Sequence, residues 1–367
     1  MPILDILRGF ALCGIMFANI FILSGYRNLS GTLQNQFASY PIDQWILVFH
    51  EIFLRFKFYT LFAFLFGVGF SILLAKAHTQ PHFVYRYLKR LTLLFIIGWL
   101  HALLFSPHDI LRIYAVAGVF LLLFKDLSDR NLLIAAGVIL FMPVIMGLFE
   151  QANFYFHPNH YVTYSHGKAL SAFREGPWMN FISSNYDRTL VHLANSLTSK
   201  RFFKILGLFL LGLYVGRKQI LYHLDYYLPM IKRLLPFAWI LSIAANVMYA
   251  ELHVGMHPAL KELAYIFSVY PMSFTYVITI IYLCRKQNMG KIACALAAVG
   301  RLSLTNYLAE SILAACFMLW FGLRLATQLH ISEYYLVALA ILIIIFVFSH
   351  YWMKYFQTGP IEYLIRR

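Results

Sequence analysis

Residues 4–24 read LDILRGFALCGIMFANIFILS. After Arg8 this stretch carries no charge, and Asn19 is the one amide inside it. As a helix rising about 1.5 Å per residue, it is long enough for roughly 30 Å of hydrocarbon. Similar apolar runs recur to the far end of the chain. The whole sequence is 61% hydrophobic and only 12% charged, with mean hydropathy +0.69. A soluble domain carries about twice that charged fraction. Short segments of alternating polarity, the mark of a membrane β-barrel, do not occur. The composition therefore predicts an all-α integral membrane protein forming one polytopic domain over residues 1–367.

Ten transmembrane helices are expected, at about 6–25, 58–77, 90–106, 109–125, 131–149, 202–217, 233–250, 262–284, 293–320 and 334–355. The first lacks a small-residue cleavage site and reads as retained. The third and fourth are joined by a tight turn at Ser106, Pro107 and His108, and an amphipathic stretch from Asp43 to Arg55 is expected along the interface. Lysine and arginine collect in the loops after the second, fourth, sixth and eighth spans: Lys76, Arg86, Lys89 and Arg90; Lys125 and Arg130; Arg217, Lys218, Lys232 and Arg233; Arg285, Lys286 and Lys291. The intervening short loops hold only Lys261 and Arg324. By the positive-inside rule both termini are cytoplasmic. The net charge of +15 is thus a topology signal, and nucleic acid is not an expected partner.

Residues 150–201 then form a long extracytoplasmic loop, rich in Tyr, His, Trp and Asn, expected to fold over the membrane mouth. Its His157, His160 and His166 lack a metal-ligand spacing, and no metal is expected. Cys13, Cys284, Cys294 and Cys316 read as small core residues.

An ionisable side chain inside a bilayer is a functional candidate, because its burial is costly unless it is paired. In the first span, Asp5 and Arg8 sit at i,i+3 and can pair, while Asn19 returns to the same helix face three turns deeper. The three form one polar stripe; the plainer alternative is a headgroup anchor. Around the 106–108 turn, His101, His108, Asp109 and Arg112 converge. A neutral His101 held by Asp109 suits a general base, and a helix-cap pair of Asp109 and Arg112 is the structural alternative. In the ninth span Asn306 and Glu310 share a face, and a continuous helix would turn Arg301 to the opposite side. Polar contacts between helices would also account for Asn306 and Glu310. Gly67, Gly69, Gly212 and Gly216 read as close helix packing.

LDILRGFALCGIMFANI, KFYTLFAFLFGVGF, GWLHALLFSPHDILRIYAVAG, GRLSLTNYLAES and TGPIEYLIRR occur in that order. As an ordered set covering nearly the whole chain, they resemble the YeiB-like bacterial membrane family, a domain of unknown function. That family is grouped with the transmembrane acyltransferases, which include heparan-α-glucosaminide N-acetyltransferase and the bacterial polysaccharide O-acyltransferases. The resemblance implies an acyltransferase-like bundle in the bacterial inner membrane. It implies transfer of an acyl group, with acetyl foremost, from cytoplasmic acyl-CoA to an extracytoplasmic sugar or other small acceptor. Asp5, Arg8, Gly9 and Asn19 match the D-x-x-R-G…N opening of the sugar acetyltransferase. The histidine that follows there has no counterpart in SGYRNLSGTLQNQF, so its role would pass to His101 or His50. Gly300, Arg301, Thr305, Asn306 and Tyr307 match G-R-x-x-L-T-N-Y.

On this reading Asp5, Arg8, Asn19 and Arg301, with Lys57, hold the acyl-CoA donor, whose phosphates suit guanidinium groups. His101 and Asp109 are catalytic, and Arg112, Asn306 and Glu310 contact substrate. Membrane lipids, donor and acceptor are the partners, and a homodimer is compatible with the reading. A small-solute transporter, using the same charges as an intramembrane polar site, is the alternative.

Overall fold

The computed structural model describes every residue except Met1, Ser30, 78–81, 151–176, Ser199, 222–227, 253–254, 286–289 and Arg367. Among the described residues the regular structure is all helical. Helices α1 (Pro2–Leu23), α2 (Gly31–Phe37) and α3 (Pro41–Phe49) lead through a π-helical turn, His50–Leu54, into α4 (Lys57–Ala75). Helices α5 (Phe83–Leu104), α6 (Leu111–Leu121), α7 (Asp129–Glu150), α8 (Trp178–Thr198) and α9 (Lys200–Arg217) follow. The remainder comprises α10 (Leu228–Leu252), α11 (Pro258–Arg285), α12 (Gly290–Arg301), α13 (Ser303–Met318), α14 (Ile331–Tyr355) and α15 (Pro360–Arg366).

Among the described residues, seven helices are long and apolar enough to cross a membrane, or eight if the bent pair α12–α13 counts as one span. All ten expected stretches are helical, and the three outside the seven differ for separate reasons. Helix α6 and its 3-10 extension are short. Helix α9 carries Lys200, Arg201, Lys204 and Arg217. The expected ninth span is broken, with α12 and α13 meeting at 85° around Leu302. Two loop expectations also change. The stretch 43–55 continues into α4 as part of one 35-residue apolar span, Pro41–Ala75. Residues 178–198 of the long polar segment form helix α8, packed on α5 and α6. The histidines at 157, 160 and 166 lie outside the described residues.

Glycines set the closest helix crossings. A β-carbon on Gly67 would meet the Phe209 carbonyl oxygen at 2.0 Å, and one on Gly212 would meet that of Phe64 at 2.1 Å. These contacts press α4 against α9, whose Ile205, Leu208, Phe209, Leu210 and Leu213 are fully enclosed. Gly9 and Gly300 cross in the same way: a β-carbon on Gly9 would strike the Leu296 carbonyl at 2.0 Å, and one on Gly300 that of Asp5 at 1.8 Å. At the periphery α10 presents Phe237, Ile240, Leu241 and Met248 outward, as a lipid-facing helix does.

Candidate functional site

The turn between α5 and α6 builds a buried polar centre. Pro107 ends the incoming helix, and the carboxylate of Asp109 accepts from the backbone N–H of Arg112 at 3.2 Å, which caps α6. The other carboxylate oxygen accepts from His101 Nδ1 at 2.8 Å and from the Tyr307 hydroxyl at 3.2 Å. Tyr307 in turn accepts from the Ile110 N–H at 3.4 Å, and its ring lies 5.3 Å from the His101 ring. His101 is 4% exposed and Asp109 is fully buried, so water does not compete for these bonds. Because a carboxylate only accepts, Nδ1 carries the proton, and Nε2 keeps its lone pair. Nε2 has no hydrogen-bond partner among the described residues.

Gly98 makes this arrangement possible, because a β-carbon there would lie 2.6 Å from Asp109 Oδ1. Arg112, fully buried, donates from Nη2 to the Pro107 carbonyl at 2.8 Å and from Nη1 to that of Thr189 at 3.3 Å. Its Nε stands 3.7 Å from Asp109, and the guanidinium lies over Trp99. Through these two bonds Arg112 positions the 107–109 turn and α8, while its Nε has no hydrogen-bond partner among the described residues. The Asn306 amide donates to the Val299 carbonyl at 3.0 Å and to Ser349 Oγ at 2.9 Å, tying the α12–α13 break to α14, while its Oδ1 has no hydrogen-bond partner among the described residues. Glu310 follows Tyr307 at i+3, is buried, and has an Oε1 with no hydrogen-bond partner among the described residues.

A second centre forms where α1 crosses α12. Arg8 Nη1 and Arg301 Nε each stand 3.4 Å from Asp5, one on each carboxylate oxygen. The close crossing of α1 and α12 at Gly9 and Gly300 brings Arg301, the last residue of α12, to Asp5. Two guanidiniums around one carboxylate leave a net positive, partly exposed cluster. Among the described residues no hydrogen bond links Asn19 to it. Lys57 is not part of it: Arg8 lies against Gly69, twelve residues and about 18 Å further along α4.

At the start of α4 a third group gathers. Lys57 is 1% exposed and donates to the Glu51 carbonyl at 2.7 Å. His50 is equally buried; its Nδ1 meets the Tyr335 hydroxyl at 2.9 Å, and its Nε2 has no hydrogen-bond partner. His50 thus lacks the carboxylate that orients His101. Near the α5–α6 turn, His108 and His192 stack edge to face at 4.8 Å, and Arg201 approaches His192 Nε2 at 3.4 Å. Burial, reinforced by the neighbouring positive charges, holds the His108 imidazole well below its ordinary range.

Residues 215–367 match the family described as "Protein of unknown function (DUF418)". The chain is 29% identical to the uncharacterized protein YxaH of Bacillus subtilis (strain 168), over 99% of this chain and 92% of the relative. It is 27% identical to the uncharacterized protein YeiB of Escherichia coli (strain K12), over 99% of this chain and 94% of that protein. The chain is similar to the YeiB-like membrane proteins along nearly its whole length. No solved structure matches it significantly.

The family match takes in Arg301, Tyr307 and Glu310, while His101 and Asp109 lie in the part covered by the full-length relatives. In this chain the residues that sequence reasoning missed are Tyr307 as a ligand of Asp109, and Gly98 as the space for that carboxylate. Tyr307 stands almost two hundred positions from Asp109, so no local spacing pairs them. Gly98 has a weaker signal, one turn before His101 on the same helix.

Proposed function

We propose that this protein is an integral-membrane acyltransferase of the bacterial inner membrane. It moves an acyl group, acetyl foremost, from cytoplasmic acyl-CoA to a small extracytoplasmic acceptor. The observation that carries the reading is the buried His101–Asp109 pair with Nε2 unpartnered. Nε2 takes the proton from an acceptor hydroxyl or amine, whose oxygen or nitrogen attacks the thioester carbonyl. The new ester or amide bond forms, the carbon–sulfur bond breaks, and the proton passes to the leaving thiolate. Asp109 stabilises the imidazolium between those steps, and Tyr307 and Arg112 hold Asp109 in place. Asp5, Arg8 and Arg301 form the donor-phosphate end, since guanidiniums bind phosphate bidentately. Arg301 ends α12 and Tyr307 lies in the first turns of α13, so the bend at Leu302 links the two ends of the proposed site. The reading includes ten membrane crossings with both termini cytoplasmic.

The broken α12–α13 pair favours the transporter reading, because discontinuous helices often frame transported solutes. Here, however, the groups freed by the break have protein partners. Glu362 accepts from the Leu304 and Thr305 N–H groups at 2.7 and 3.1 Å, and Asn306 takes the Val299 carbonyl. That occupancy supports the enzyme over the transporter.

The test is purified protein in nanodiscs given labelled acetyl-CoA, with thiol release and acyl loss measured. His101→Gln and Asp109→Asn are expected to lower the rate on the order of 10²-fold or more, the usual weight of a general base. Wild-type protein that neither binds nor turns over acetyl-CoA, with His101→Gln silent in cells, overturns the reading.

A further inference from the structure

At the end of the molecule opposite the Asp5 cluster, positive charge exceeds negative charge inside the fold. Lys57 sits at the base, 1% exposed, with three donor hydrogens and one bond, to a backbone carbonyl. The nearby carboxylate of Glu51 is engaged by Arg55 at 2.8 Å. Arg27, exposed on the 3-10 turn Tyr26–Asn28, stands at the rim. Arg27, Arg55 and Lys57 all act electrostatically on His50, and Arg27 also acts on His108. His50 is itself 1% exposed, and its Nε2 has no hydrogen-bond partner among the described residues. The helix is interrupted just before the lysine by the π-helical turn His50–Leu54 and a left-handed Phe56, at φ 69°. Leaving a buried ammonium without an anion is costly. Arg27, Arg55 and Lys57 set three basic side chains against the Glu51 carboxylate.

We infer that Arg27, Arg55, Lys57 and His50 form a binding site for a phosphate group on a small molecule or a lipid headgroup. A phosphomonoester dianion suits these basic side chains, and its several oxygens match the free donors of Lys57 and the two guanidiniums. His50 Nε2 takes a hydrogen bond from a hydroxyl beside the phosphate. On the acyltransferase reading the phosphate-bearing molecule is the acceptor; the phosphate site itself does not rest on that reading.

Thermal melts of the full chain in zwitterionic nanodiscs test it, with inorganic phosphate, glucose 1-phosphate, or nanodiscs doped with phosphatidic acid. Sodium chloride at equal ionic strength is the control. Stabilisation of the wild type by a phosphate-bearing probe is expected, with at least tenfold weaker apparent affinity in Arg27→Gln and Lys57→Met. Arg27 is exposed, so its variant keeps the test valid if Lys57→Met fails to fold. Response to soluble phosphates alone identifies a free small molecule, and response to phosphatidic acid alone identifies a headgroup. No response to any probe, or equal responses in wild type and Arg27→Gln, overturns the site. His101→Gln is expected to bind phosphate normally, so loss of the acyltransferase reading would leave this result standing.

Discussion

His192 shows how one side chain can set a pH limit. It stands on α8, and burial first, then Arg201, Arg112 and Arg188, pushes its imidazole down to about 3 from an ordinary 6.5. In the unfolded chain the ring protonates as pH falls through about 6.5; in the fold it stays neutral until about pH 3. Between those values the unfolded state binds the extra proton, so stability falls as pH falls. His108, in contact with it, shifts in the same direction. Melting temperature in nanodiscs is therefore expected to drop between pH 7 and 4.5, and to drop less steeply in His192→Asn. Parallel curves for the two proteins contradict this account. This pair differs in kind from His101, which has a carboxylate to stabilise its charged form.

At the level of elements, the break between α12 and α13 joins two distant segments of sequence. The C-terminal TGPIE turn supplies Glu362, which bonds two backbone N–H groups and Thr305 Oγ1 (2.6 Å), acting as an N-cap from outside the helix. A β-carbon on Gly359 would lie 2.0 Å from Glu362 Oε2, so that glycine is the space for the cap. Glu362→Ala leaves the start of α13 uncapped and is expected to cost about 1–2 kcal/mol, the usual range for losing a cap. Because α13 carries Tyr307, the loss is expected to reach the Asp109 centre too. A denaturant titration with Trp fluorescence measures the stability change; a wild-type midpoint in Glu362→Ala rules out the cap. The sequence made α13 legible as an apolar helix, and made Asn306 and Glu310 legible as neighbours on it. The bend was hidden, because Gly300 and Arg301 read equally well inside a straight span. It became a bend through Glu362, almost sixty positions away, which no periodicity connects to Thr305.

Across the whole molecule, local chemistry was readable and long-range pairing was not. Asp5 with Arg8, and His101 with Asp109, are close in sequence, and the structure pairs both. Arg301 on Asp5 and Tyr307 on Asp109 required tertiary contacts that depend on glycine crossings. The charge pattern connects these scales. Arg217 donates to the Leu127 carbonyl at 2.8 Å, and Lys218 lies 2.8 Å from Asp129, so the basic loops after α6 and α9 meet at one end. The start of α1 and the α15 cap also share one end, through Gly300 against Asp5 and Glu362 on Thr305. If the positive-inside rule governs these loops, both ends of the chain face the cytoplasm. Fusions of alkaline phosphatase and of a fluorescent protein to either terminus report the side directly. Fluorescence without phosphatase activity is expected at both. A cysteine introduced for Arg27 is expected to react with an impermeant maleimide from the outside, and one introduced for Lys218 only after permeabilisation. Labelling of both positions from the same side would reverse the topology, and with it the assignment of Asp5, Arg8 and Arg301 to the donor end.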